Sequence, residues 1–203
     1  MKAELLEANL DVIRLFKSSK LIGWNDLKEQ SVYRILYLSS VLYSFMFPGE
    51  HFKEGFDFTV DMTGPYSKGL RDALTFLVSN DIISLKENKE YELNKSNDLD
   101  LSNSSEQNRK TGWLKNVLYI LGTYGEKKVY EFVIRDPEYR ANIETNSLQS
   151  LNTDETNRTI DFLNSIKQQF EKKLAEENNK PDKNKYLELY FEYVFSKVLT
   201  GNV

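Results

Sequence analysis

The chain has 203 residues, 40% hydrophobic and 13% aromatic, with a formal net charge of −4. It can bury a core that leans on Phe and Tyr, and its acidity argues against broad, non-specific nucleic-acid binding. Cysteine is absent, which excludes disulfides, thiolate metal sites and cysteine nucleophiles.

Residues 3–17 place Leu6, Leu10, Ile13 and Phe16 at helical spacing, which predicts an amphipathic first helix. The segment carries acidic residues and no uninterrupted apolar stretch, so it does not read as a secretory signal. "LIGWND" breaks the pattern, and Asn25 or Asp26 is placed to cap a second helix over 26–45. Leu27, Val32, Ile35, Leu38, Val41 and Phe45 leave that helix apolar on most sides, as expected of the most buried element. Its apolar run over 32–47 carries Arg34 and is too short to span a bilayer, so a soluble, cytoplasmic protein without membrane contact is expected. "FPGE" stops the helix.

"FDFTV" at 56–60 alternates and predicts a short strand. Gly64 and Pro65 then predict a turn, and Ser67 is placed to cap a helix that buries Leu70, Ala73, Leu74 and Leu77 and ends near Asn80. "IISL" and "YEL" flank "KENKE" as the strands of a hairpin. Helix, strand, turn, strand is the layout of a winged helix. The polar stretch 94–110 has the composition of a loop or linker. A helix built on Trp113, Val117 and Leu121 follows, closed by Gly122 and Gly125. Residues 127–134 fit helix or strand equally, and Pro137 stops or restarts them. After a polar break at 142–152, helices are expected over 153–178 and 183–199. The predicted fold is α+β and mostly α-helical. A winged-helix core spans 1–93, the polar loop 94–110, and a helical extension packs on the core from 111 to 203.

Catalytic patterns are sparse. The one histidine, His51, sits in the loop "PGEHFKEG" and cannot build a familiar zinc site without cysteine. Phosphate-loop, dinucleotide and zinc-protease signatures are missing. Asp57 and Asp61 flank the first strand and read as turn formers. Asp136 and Glu138 in "RDPEYR" can be drawn as a carboxylate pair, but Pro137 between them predicts a turn with ion pairs to Arg135 or Arg140. A non-enzymatic protein with no cofactor and no metal is expected.

The predicted reading helix exposes Lys68, Arg71, Asp72, Thr75 and Ser79, and the wing sets two lysines against two glutamates. Sequence-specific DNA readers lay down several Lys/Arg phosphate contacts. This surface is nearly neutral and predicts weak DNA binding, with protein binding as the main use. Residues 109–140 are more basic, with seven Lys/Arg against four Asp/Glu, which leaves a modest nucleic-acid surface open there.

Two stretches carry a family resemblance. "GPYSKGLRDALTFLVSNDII" resembles the Gly-Pro-Tyr-Ser element of small winged-helix proteins from bacterial defence and toxin–antitoxin loci, including Panacea-type antitoxin domains. In that element Gly64, Pro65, Tyr66 and Ser67 form the structural motif. "WLKNVLYILGTYGEKKVYEFVIRDPEYR" resembles the middle component of bacterial ABC-three-component systems, which include Lamassu-like anti-phage operons. The resemblance implies an adaptor subunit working beside an SMC-like or ABC-type ATPase and an effector, often a nuclease. Where it is densest, Tyr130, Arg135, Asp136 and Arg140 mix aromatic and charged side chains as interface anchors do, and they are the expected partner-binding residues. The alternative is a regulatory winged helix, either an antitoxin-like neutraliser or a DNA-binding repressor.

Overall fold

The computed structural model describes residues 2–52, 56–94, 104–144 and 150–175, together with Lys185, Glu188, Leu189 and Glu192. They form a mostly helical α+β fold with two small antiparallel sheets. Its axis is the apolar helix α2 (Glu29–Met46), in which fourteen of eighteen residues are buried, as its nearly continuous hydrophobic surface predicts. Before it come α1 (Lys2–Lys20) and the strand β1 (Asp26–Lys28). Asp26 is therefore not the helix cap expected from the sequence. It lies in β1, where only Leu27 turns inward, and Lys28 is the N-cap without a side-chain bond.

Strands β2 (Phe58–Asp61) and β3 (Gly64–Tyr66) form a hairpin in which Asp61 faces Gly64 and Val60 faces Pro65. The turn thus falls on Met62 and Thr63, and the expected Gly64–Pro65 turn is instead the start of a strand. Pro65 is accommodated because β3 lies at the edge of its sheet. Helix α3 (Lys68–Ser79) buries the four apolar residues expected of it, and Ser67 Oγ accepts the Leu70 N–H at 3.3 Å. Strands β4 (Ile83–Leu85) and β5 (Glu90–Leu93) follow, and β1 completes their sheet in the order β1-β5-β4.

Helix α4 (Ser105–Tyr124) begins inside the stretch read as a loop to residue 110. Ser104 supplies the reason, since its Oγ accepts the Gln107 N–H at 3.1 Å. Gly125, at φ +87°, breaks α4 from α5 (Glu126–Ile134), so 127–134 is helix rather than strand. Pro137 restarts the chain as α6 (Pro137–Glu144). A two-residue strand, β6 (Ser150–Leu151), returns to pair with β2, and α7 (Arg158–Ala175) starts five residues later than expected. Asn157 delays it by accepting the Thr159 N–H at 2.7 Å. The expected helix over 183–199 lies outside the described residues, apart from four positions that are each helical.

One hydrophobic cluster runs through residues on both sides of the 94–110 stretch. Helix α2 packs against α4, α5 and α7, while α1 packs against α3 and α4. Trp113 joins the two halves of the chain by donating its indole N–H to the Ser39 carbonyl at 2.9 Å. Among the described residues no helix is long and apolar enough to cross a membrane.

Candidate protein-interaction surfaces

Each residue of the Gly-Pro-Tyr-Ser element has a local task. Gly64 sits at φ +132°, and a Cβ there would stand 3.0 Å from Arg34 Nε. The backbone must therefore adopt a glycine conformation to pass over that side chain. Tyr66 meets the Tyr33 ring edge-on at 5.7 Å, and its hydroxyl is hydrogen-bonded to Arg71. Ser67 caps α3. Arg34 lies beneath the hairpin, donates from Nη2 to the Thr63 carbonyl, and places its guanidinium 4.6 Å from the centre of the Tyr130 ring. Tyr139 clamps the other side by donating its hydroxyl to the Asp61 carbonyl at 2.6 Å. Asp61 ties the turn by accepting both the N–H and the hydroxyl of Thr63. The hairpin tip is thus held firmly while Met62 stands 89% exposed on it.

The four expected partner-binding residues do not share one environment. Tyr130 is exposed on α5 and Arg140 is exposed on α6, where it approaches Glu144 at 3.6 Å. Arg135, the C-cap of α5, is half-buried. Asp136 is fully buried, which corrects its assignment to a contact surface. Its carboxylate accepts the Tyr37 hydroxyl at 2.8 Å, the Thr159 hydroxyl at 2.5 Å and the Tyr139 N–H at 3.0 Å. It therefore joins α2, α6 and α7. Burial pushes its pKa above the ordinary carboxylate value, against the pull of those donors.

Asp136 and Glu138 are drawn apart rather than paired. Glu138 reaches the start of α7, accepting the Arg158 N–H at 3.2 Å. Of the ion pairs expected at this turn, Glu138 approaches Arg158 at 4.0 Å rather than Arg135 or Arg140, and Arg140 turns to Glu144. His51 is exposed in the loop after α2, and Asp57 is exposed before β2. Among the described residues no group of three or more His, Asp or Glu side chains is placed to hold a metal ion.

The face of α3 and the β4–β5 hairpin forms the second surface. Lys68 is paired with Asp72 at 2.6 Å, and Arg71 is engaged by Tyr66. Lys86 bridges Asp26 at 2.8 Å and Glu92 at 3.0 Å. The Thr75 and Ser79 hydroxyls turn back to carbonyls of their own helix. Over residues 68–93 four Lys/Arg stand against five Asp/Glu. Phe76 and Leu85 are exposed here, at 43% and 51%.

Two polar arrangements had only faint sequence signals. Arg34 was visible as the single charge in a long apolar run, but its position under a distant hairpin was not. On α1, Asp11 and Arg14 pair at 2.5 Å with both side chains fully buried, and Lys110 of α4 is buried with them. Burial raises the Asp11 carboxyl to about 7, outweighing the opposing pull of Lys110 and Arg14. The i, i+3 spacing of Asp11 and Arg14 was the available sign.

No protein-family model matches the chain, and neither a characterised protein nor a solved structure matches it.

Proposed function

We propose that the protein is a non-enzymatic winged-helix adaptor that docks on protein partners. In this assignment α1, α2 and α3 are the three helices, β4–β5 is the wing, and β1 is the strand that completes its sheet. Helix α3 then occupies the reading position. The observation that carries the proposal is the state of the cations over 68–93: Lys68, Arg71 and Lys86, three of the four, are each engaged by a carboxylate or hydroxyl of the same chain. Exposed pairs of this kind are individually weak. Their carboxylates nevertheless stay on the surface and repel a phosphate backbone, which binds through the release of counterions by unopposed Lys and Arg. Exposed Phe76 and Leu85 suit a protein interface better.

The resemblance of 113–140 to ABC-three-component middle components supplies the partner: an SMC-like or ABC-type ATPase, together with its effector, in anti-phage defence. The test is co-expression with an SMC-like or ABC-type ATPase, sought among the products of the neighbouring genes. The two proteins are expected to co-purify, while the isolated chain binds duplex DNA only weakly at physiological salt. Nanomolar, sequence-specific DNA binding by the isolated chain would instead establish the repressor alternative.

A further inference from the structure

Helix α1 packs against both α3 and α4, and its buried side chains are of two kinds. Val12, Leu15 and Phe16 are apolar and fully buried. Asp11, Arg14 and Ser18, spaced i, i+3 and i+7 along one face, are just as deeply buried, with Lys110 of α4 acting on Asp11 from across the seam. Hydrogen bonding in this seam is incomplete. Arg14 Nη1 donates to Asp11 Oδ1 at 2.5 Å, but Arg14 Nε and Nη2, Asp11 Oδ2 and Ser18 Oγ have no partner among the described residues. Lys110 reaches Glu106 at 3.6 Å, and the Glu106 side chain is itself more than half exposed.

A buried donor or acceptor without a partner is costly, and water supplies each missing partner once the seam opens. The apolar contacts of Val12, Leu15 and Phe16 oppose opening and keep the closed form dominant. The C-terminal end of α1 is pinned. Ile22 packs directly onto α4 at Gly122, where a Cβ would stand 3.2 Å from its Cδ1, and Lys20 Nζ donates to the Leu93 carbonyl at 2.8 Å. The turn between ends at Gly23, whose φ of +81° lets the chain reverse into β1. Held at the Ile22 end and poorly satisfied at the Asp11 end, α1 is set to pivot.

We infer that α1 is a hinged flap, pivoting on the turn over 18–23 and opening from α4 at the Asp11–Arg14–Lys110 cluster. The same cluster sets when it opens. Asp11 is faced by Arg14 and Glu7 of α1 and by Lys110 of α4, with Glu106 behind that lysine. The charged side chains of α3 are exposed, Glu90 and Glu92 of β5 bond Asn88 and Lys86, and on α2 Glu29 bonds Tyr33 while Arg34 lies under the β2–β3 hairpin. In the closed form Asp11 keeps its proton up to about pH 7, whereas in water it ionises near 3.8. Between those values the closed form holds a proton that the open form lacks. Opening therefore increases as pH rises, by up to about tenfold per unit, and levels off above about 7. The motion uncovers the faces of α3 and α4 that α1 covers, and it does not depend on which partner the protein binds.

The test is native-state amide exchange on the full chain from pH 5 to 8, in zero and low urea, with rates divided by their intrinsic values. Residues 11–16 are expected to exchange roughly a hundredfold faster than residues 35–42 of α2, with little dependence on urea, as a local opening does. Their protection should fall by up to about tenfold per unit between pH 5 and 7 and then level off. Global unfolding gives α2 the same pH slope, so the urea dependence separates the two motions. Asp11→Asn should abolish the slope in α1. The variant Asp11→Leu/Arg14→Met/Lys110→Met, which replaces the whole cluster by apolar side chains, should raise α1 protection toward that of α2. If this variant does not fold, Asp11→Asn alone carries the test. Equal protection and equal urea dependence in α1 and α2 overturn the inference, because α1 then leaves only when the whole protein unfolds. Fast α1 exchange with no pH slope in the parent overturns it as well, since the cluster then does not govern the opening.

Discussion

Replacing Asp136 by alanine is expected to destabilise the fold severely, because three buried donors converge on its carboxylate. The Tyr37 hydroxyl, the Thr159 hydroxyl and the Tyr139 N–H would all lose their acceptor. Each buried donor left unpaired costs about 1–3 kcal/mol. Water entering the vacated space offsets part of this, giving a net loss of roughly 3–5 kcal/mol. For a chain of this size each kcal/mol lowers the melting temperature by about 2–4 °C, so a fall of roughly 6–20 °C is expected. Asp136→Asn keeps one acceptor oxygen, and Thr159 can turn to accept from the new amide, so it should lose about half as much. Tyr37→Phe and Thr159→Val each remove one donor and should cost about 1–2 kcal/mol. Urea denaturation followed by circular dichroism measures all four, and a double-mutant cycle between Asp136→Ala and Tyr37→Phe should show strong coupling. If Asp136→Ala shifts stability by less than about 1 kcal/mol, the carboxylate does not hold α2, α6 and α7 together and the account given for it is wrong.

Gly64→Ala should destabilise by about 1–3 kcal/mol, since alanine is strained at φ +132° and its Cβ meets Arg34; a thermal melt equal to the parent's would refute this. Asp11 makes stability depend on pH: unfolded it ionises near 3.8 and folded near 7, so between those values the folded state holds a proton that the unfolded state lacks. Its contribution therefore falls as pH rises from about 4 to about 7, by up to about 1.4 kcal/mol per unit, and Asp11→Asn should flatten the profile of urea midpoints across that range. Tyr130→Ser combined with Arg140→Glu should weaken co-purification of the proposed ATPase partner while changing folding stability by no more than about 1 kcal/mol, and full retention of that partner would move the interface elsewhere.

What could be read in the sequence was local. The burial of α2, the Ser67 cap and the two faces of α3 follow from residue spacing within one helix and its flanks. What could not be read depends on chain segments far apart. Asp26 looks like a helix cap until β5 arrives beside it and makes it part of a strand. Ser150 and Leu151 look like part of a polar break, and only β2, some ninety residues earlier, makes them a strand. Asp136 sits next to two arginines in a charged turn and reads as surface. Its actual neighbours, Tyr37 and Thr159, are 99 and 23 residues away. At the candidate surfaces, the near-neutral face of α3 was legible from composition, whereas the alignment of Leu27, Tyr91 and Leu85 on one sheet face required the register of β1, β5 and β4.

The burial of α2 from several sides has a consequence for synthesis on the ribosome. Its partners α4, α5 and α7 all follow it in the chain, and the last core residue among the described ones is Leu163. More than a hundred residues must be translated after Met46 before α7 can close over it. At about 5–20 residues per second this leaves α2 without its α7 cover for roughly 6–23 s. During that interval it is a natural client for nascent-chain chaperones. Release of fragments ending near residue 93 should give insoluble product even though every element of the proposed winged helix has already been made.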